Sequence, residues 1–219
     1  MWTIFRKDLA IERRTGEILS SLLLLALLVV LVFAFTLELE RLREPGLLGG
    51  LLWATLLLAG TLALGRSMLL EREAGAWTAL ALAPIDRGSV FLGKAAANLL
   101  LLLIAAALVL PVMAILLGTS RLAPSPLLGL AILLGTTGMA AVGTLGAALA
   151  SRTRAREVLL PILTFPLLVP LLIAVARVTS AGLVGEAPAA VRPWLVLLCV
   201  FDLVFLTVGW LTFDHVLED

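Results

Sequence analysis

Charged side chains are scarce in this sequence. Asp, Glu, Lys and Arg make up 14% of the 219 residues, whereas soluble globular domains carry about 25%. Hydrophobic residues reach 62%, and the mean hydropathy is +1.15. The net charge of +1 excludes the basic footprint of a nucleic-acid-binding protein, so nucleic acid is not expected as a partner. This composition predicts a polytopic membrane protein embedded in a lipid bilayer.

Residues that catalyse reactions or bind metals are equally scarce. Cys199 is the one cysteine, which excludes an internal disulfide and a paired-cysteine metal or redox site. His215 is the one histidine, and the patterns H-E-x-x-H and G-x-S-x-G are absent. The sequence therefore indicates no catalytic residue, no metal ligand and no directly bound cofactor.

One stretch resembles the sequence pattern of a nucleotide-binding loop. Residues 88–95 nearly match the phosphate-binding pattern G-x-x-x-x-G-K-[ST], but Ala95 stands where a hydroxyl would hold magnesium. No strand precedes the stretch, which enters an apolar run instead. Any ATP that drives this protein is therefore expected on another subunit.

Six apolar runs are long enough to cross a bilayer. A hydrocarbon core of about 30 Å requires roughly 20 helical residues, because the chain must satisfy its own backbone groups there. The first run is longer than the core of a signal peptide and lacks a cleavage site, so we interpret it as a retained span. The sequence predicts an all-α integral membrane protein with one transmembrane domain over residues 1–219 and spans at 18–37, 47–64, 90–117, 127–150, 158–175 and 194–213.

The basic residues predict the orientation. Eleven of the sixteen lie in the amino-terminal segment and in the loops after the second and fourth spans. Lysine and arginine are enriched on the cytoplasmic side of membrane proteins. Both termini and residues 69–94 are therefore predicted to be cytoplasmic.

The residues before the first span have the pattern of a short amphipathic helix. Trp2, Phe5 and Leu9 share a helical face, and Arg6 and Lys7 add basic charge. Two interpretations stay open, a simple membrane anchor and a structured elbow that also contacts a partner.

The main polar interruption lies between the second and third spans. Residues 71–83 are rich in Ala, Leu and Glu and predict a short cytoplasmic helix that Pro84 ends. Asp86 is then placed to cap the next helix. Such a helix, joined to a span at each end, would act as a lever when a partner grips it.

Small residues line the fourth span at helical spacing. They are Thr136, Ala140, Thr144 and Ala148, four residues apart, with Gly135 alongside. Stripes of this kind allow helix backbones to approach closely within a bilayer. Tight packing is the first interpretation, and a moving interface or permeation wall is the second.

Three prolines lie in the fifth span, at Pro161, Pro166 and Pro170. Proline removes a backbone hydrogen bond, so the sequence predicts a bent helix. The bend would border a path or hinge, or would be a static kink.

Two charged residues lie within spans. Lys94 is near a predicted helix end, so its ammonium group is expected to extend back to water. Asp202 lies near the middle of the last span, where an aspartate costs about 2.5 to 3.5 kcal/mol to insert. We interpret Asp202 as a candidate intramembrane polar site, or as a carboxyl group satisfied by hydroxyls, water or a second subunit.

Several motifs resemble a known family. Glu71 to Gly75, Ala83 to Arg87 and Gly93-Lys94 resemble the cytoplasmic signature of ABC-2 type export permeases. Arg6 to Leu9, the run from Leu134 to Leu145 and the triple-proline helix resemble one branch, the heme exporter protein B family of cytochrome c maturation. The resemblance covers nearly the whole chain, although Trp77 stands where polar residues are common and Asp202 is not expected.

The resemblance implies a permease subunit of the bacterial inner membrane that is not itself an enzyme. ATP would be hydrolysed on a separate ABC ATPase subunit, and heme would be handled by the complex with further membrane subunits. ATP hydrolysis would release a heme-loaded chaperone, and a second copy of the chain is expected. The resemblance assigns the ATPase contact to Glu71, Arg72, Glu73, Gly75, Trp77, Leu80 and Pro84.

Two other functions fit the same pattern. An ABC-2 permease could export a lipid, a polysaccharide or a drug. A membrane scaffold could assemble partners without coupling to an ATPase.

Overall fold

The computed structural model describes residues 1–36, 44–73, 86–117, 125–150 and 156–218. Within these ranges 95% of the residues are helical and no strand occurs. The helices are α1 (Trp2–Thr15), α2 (Glu17–Thr36), α3 (Pro45–Glu73), α4 (Arg87–Leu116), α5 (Pro126–Ala150), α6 (Arg156–Val184), a short 3-10 helix (Pro188–Val191) and α7 (Arg192–Glu218).

Helices α2 to α7 are long and apolar enough to cross a membrane. The predicted all-α fold with six spans and a short amino-terminal helix is therefore confirmed. Each of the six forms because an apolar run leaves its backbone groups no partner except those of its own helix.

The helices of three spans continue beyond their predicted ends, and the last of them, α7, reaches Glu218. Helix α3 continues to Glu73, so residues 71–73 prolong the second span. Helix α6 continues to Val184, because polar residues that end the apolar run find partners. The hydroxyl of Thr179 accepts a hydrogen bond of 2.9 Å from the Trp53 indole, and Arg177 pairs with Glu186 at 3.2 Å.

Helix α5 is the centre of the bundle and packs against α3, α4, α6 and α7. Its glycines make this possible, because an added Cβ on Gly135 would overlap Trp53 and one on Gly143 would overlap Leu64. Helix α2 packs on α3 and α4.

Two apolar clusters fill the interior. The larger runs through the middle of the bundle. The smaller joins α1, the first turns of α4 and α6 and the last turns of α5 and α7, through residues such as Ile4, Phe91, Leu160 and Phe213. We call this end of the bundle the basic end, since the predicted cytoplasmic loops lie there.

Candidate functional site

The predicted ATPase contact comprises residues between Glu71 and Pro84, which connect α3 to α4 along the chain. Helix α3 brings the backbone of residues 71–73 to the basic end, and α4 begins at Arg87. Gly75, Trp77, Leu80 and Pro84 lie outside the described residues. The lever helix over residues 71–83 therefore stays a prediction, with both flanking spans in place.

Asp86 caps α4, as the sequence predicts. Its carboxylate accepts hydrogen bonds from the Ser89 amide at 3.1 Å and from the Ser89 hydroxyl at 2.7 Å. The hydroxyl bond is the main reason that the pKa of Asp86 lies below its ordinary value of 3.8. The cap fixes the residue at which the chain enters α4.

The first turns of α4 are packed tightly against α7. The Phe91 ring lies 5.6 Å from the Phe213 ring, and an added Cβ on Gly209 would overlap Phe91. Gly88 similarly lies against Trp210. A displacement of the start of α4 must therefore be transmitted to α7 or break this packing.

Lys94 contradicts the expectation that its ammonium group reaches water. The side chain is 2% exposed, and its Nζ lies 3.4 Å from the Asp8 carboxylate on α1. A cation inside a span is costly unless it is paired, and α1 supplies the partner that a single-span argument omits. Lys94 therefore joins two helices.

The face of α1 that packs on the bundle is not the face that Trp2, Phe5 and Leu9 share. Ile4 and Glu12 are buried, whereas Trp2 is 64% exposed and stacks on Phe5. The Glu12 carboxylate accepts hydrogen bonds from the amides of Ile18 (3.3 Å) and Leu19 (2.7 Å) at the start of α2. Residues 4, 8 and 12 follow a four-residue spacing, which is the signal that could have identified this face.

A second polar contact links α4 to the small-residue stripe. The Asn98 amide donates a 2.9 Å hydrogen bond to the Thr144 hydroxyl. Ala140, Thr144 and Ala148 are at most 1% exposed, and Gly135 lies against Trp53. The small residues of α5 therefore pack against other helices of the same chain.

Asp202 is buried at the junction of α5, α6 and α7. It is 6% exposed, and neither carboxyl oxygen has a hydrogen-bond partner in the part of the chain that the structure describes. Its Oδ1 lies against Gly138 of α5. A Cβ added to Gly138 would lie 2.7 Å from this oxygen and 2.7 Å from the Leu171 side chain of α6. The described hydroxyl groups do not satisfy this carboxyl group.

The three prolines lie within one continuous helix, α6. Pro166 and Pro170 are exposed, whereas Thr164 faces the interior and donates to the Leu160 carbonyl at 2.8 Å. These two prolines therefore lie on the outer side of the helix, away from α5.

Comparison with known proteins adds one finding. A protein-family model described as CcmB protein matches residues 1–219, the whole chain. The curated proteins contain no match.

Proposed function

The chain belongs to the CcmB protein family, which provides a membrane subunit of the heme exporter for cytochrome c maturation, and we propose that it couples a separate ABC ATPase to that process. The whole-length family match carries the assignment to the heme exporter. The coupling is supported by geometry, because residues 74–85 join the ends of two spans. In this proposal ATP hydrolysis drives release of the heme-loaded chaperone.

The packing at the basic end explains how force would spread. A partner that grips residues 71–84 pulls on α3 and on the capped start of α4. Helix α4 passes the displacement to α7 through Phe91 and Phe213, and to α5 through Asn98 and Thr144. Close-packed helices respond as rigid bodies, so the bundle converts a local push into helix movement.

The interior chemistry favours a mechanical subunit over a heme carrier. Heme iron in proteins is held by side chains such as His, Met or Cys. Met113 and Met139 are 0% and 1% exposed and belong to the apolar core. Cys199 lies on the exposed surface of α7. We therefore assign heme to the partner membrane subunits of the complex.

The remaining assignments follow from the family and from charge. The chain lies in the bacterial inner membrane with its basic end in the cytoplasm. An ABC system has two ATP sites and two membrane halves, so one six-span chain works with a second copy of itself or with a related partner. Its partners are the ATPase, the heme-handling subunits and the lipid bilayer.

A charge reversal in the lever tests the ATPase contact. We expect Glu73→Arg combined with Trp77→Glu to abolish copurification of an ATPase subunit, because the first change reverses a charge on the predicted contact and the second replaces its aromatic side chain with a charged one. The bound proteins are identified by mass spectrometry after purification in mild detergent.

The matched control is Glu44→Arg, at the opposite end of α3, where the side chain is exposed. It should retain the ATPase. Unchanged copurification and unchanged ATP-dependent cytochrome c maturation in the double variant would support the scaffold function instead.

A further inference from the structure

We propose that Asp8 and Lys94 are positioning residues that lock α1 to α4, so that the two helices move as one coupling unit. This inference rests on the proposed function, in which α4 receives force from an ATPase. It assigns a mechanical role to α1 in addition to membrane anchoring.

The ion pair between Asp8 and Lys94 lies largely inside the protein. Lys94 is 2% exposed and Asp8 14%, so little water reaches the two charges. Lys7 also lies 3.2 Å from the Asp8 carboxylate, but its side chain is 40% exposed, so the contact with Lys94 is the more buried of the two. Breaking a buried pair is more damaging than losing a surface pair. Separation of α1 from α4 would have the same effect.

Backbone packing brings the same two helices into direct contact. An added Cβ on Gly93 would lie 2.8 Å from the Met1 carbonyl oxygen and 3.1 Å from the Ile4 Cβ. Glycine at this position therefore allows the helices to approach more closely than any other residue would. Gly93 and Lys94 together form the surface of α4 on which α1 packs. Gly93 allows the close backbone approach, and Lys94 forms the ion pair.

The other end of α1 is fixed as well. Gly16 adopts a left-handed φ of 63° and turns the chain directly into α2. Glu12 then accepts two amide hydrogen bonds from the first turn of α2. Helix α1 packs mainly along α4, and α2 packs on α4 too. The helix thus connects the starts of two spans that are themselves in contact.

The contact between α1 and α4 lies close to the point at which force is proposed to enter α4. Lys94 lies two turns inside α4, whose first residue follows the predicted lever. One turn deeper, Asn98 bonds to Thr144 of α5. A movement of α4 must therefore carry α1 with it, or separate a buried charge pair and a close-packed backbone contact.

Charge exchange tests the lock. We expect Asp8→Lys alone and Lys94→Asp alone each to reduce ATP-dependent cytochrome c maturation about tenfold or more. The double exchange Asp8→Lys with Lys94→Asp should recover much of the loss, since it restores opposite charges. Matched controls are Arg6→Glu and Arg13→Glu on the exposed side of α1, which should cause smaller changes.

Copurification separates the two proposals. All the variants should still retain the ATPase, because the lever is unchanged. Loss of the ATPase from the lever variant but not from these variants supports both proposals. Single exchanges with full activity, or a double exchange no better than either single, would overturn the lock even where the lever proposal stands.

Discussion

At the level of single residues, Asp202 combines deep burial with the lack of a hydrogen-bond partner among the described residues. One of its carboxyl oxygens lies against Gly138 of α5. An ionisable side chain kept at this depth costs free energy, and such residues usually serve a function. We therefore interpret Asp202 as a residue that reduces stability and contributes to the working cycle.

Replacement of Asp202 should separate these two effects. We expect Asp202→Leu to raise the free energy of unfolding by about 1 to 3 kcal/mol, because it removes an unpartnered buried polar group. Asp202→Asn should change stability less. Both should lower ATP-dependent cytochrome c maturation, with thermal unfolding measured in detergent.

The matched control is Thr207→Val on α7, whose hydroxyl bonds only within its helix, to the Leu203 carbonyl. It should change neither quantity. A loss of stability in Asp202→Leu would mean that a partner holds the carboxyl group, and full activity in both Asp202 variants would remove the functional interpretation.

The sequence identifies the charged residues within spans but not their partners. Asp202 is visible as an aspartate in an apolar run, and Asp86 as a cap before a helix. The prediction that the Lys94 ammonium group reaches water is wrong, because it considers one helix and a membrane surface, whereas Asp8 comes from a separate helix. Such pairings depend on tertiary contacts that a single chain pattern does not contain.

At the level of elements, α5 shows why the small residues matter. Gly143 faces Leu64 of α3 so closely that an added Cβ would overlap the leucine side chain, whereas Gly129 on the same helix has nothing within 4 Å. Two glycines of one helix therefore have opposite expected responses to substitution.

A double-mutant cycle tests the α3 to α5 contact. We expect Gly143→Ala to destabilise the protein by about 1 to 3 kcal/mol through overpacking, and Leu64→Ala to destabilise it by about 2 to 5 kcal/mol through a cavity. The combined variant should lose clearly less than the two single losses together, because the new methyl group enters the space that Leu64 leaves. Thermal unfolding in detergent measures all three.

Gly129→Ala serves as the control and should be neutral or slightly stabilising, since alanine favours helix more than glycine does. Additive losses in the combined variant would contradict the packing of α5 on α3.

The six spans follow from apolar run length, because a bilayer imposes one length on every crossing helix. The helix ends do not follow from it. Helix α6 continues past Arg177 because Glu186 and Trp53 satisfy polar groups that hydropathy counts as an end. The face of α1 that packs on the bundle likewise does not follow from apolar spacing, because Asp8 and Glu12 make the polar contacts to α4 and α2.

At the level of the whole molecule, family and topology are readable from the chain while the packing order is not. Lipid provides no hydrophobic drive between helices, so glycine, threonine and polar contacts decide which spans meet. The stripe in α5 predicts a close approach, and the structure places four neighbouring helices around it. The lever that we propose over residues 71–83 begins in the last turn of α3 and precedes α4 in the chain, and it is the element through which energy is proposed to enter.

Recovery of the wild-type chain from native membranes tests the coupling function most directly. The bound proteins are identified by mass spectrometry, and the absorbance spectrum is recorded for the complex and for the separated chain. We predict that an ABC ATPase and heme-handling membrane proteins are recovered together and that heme absorbance remains with those partners. A preparation without an ATPase, in which the isolated chain itself carries heme, would contradict the proposed function.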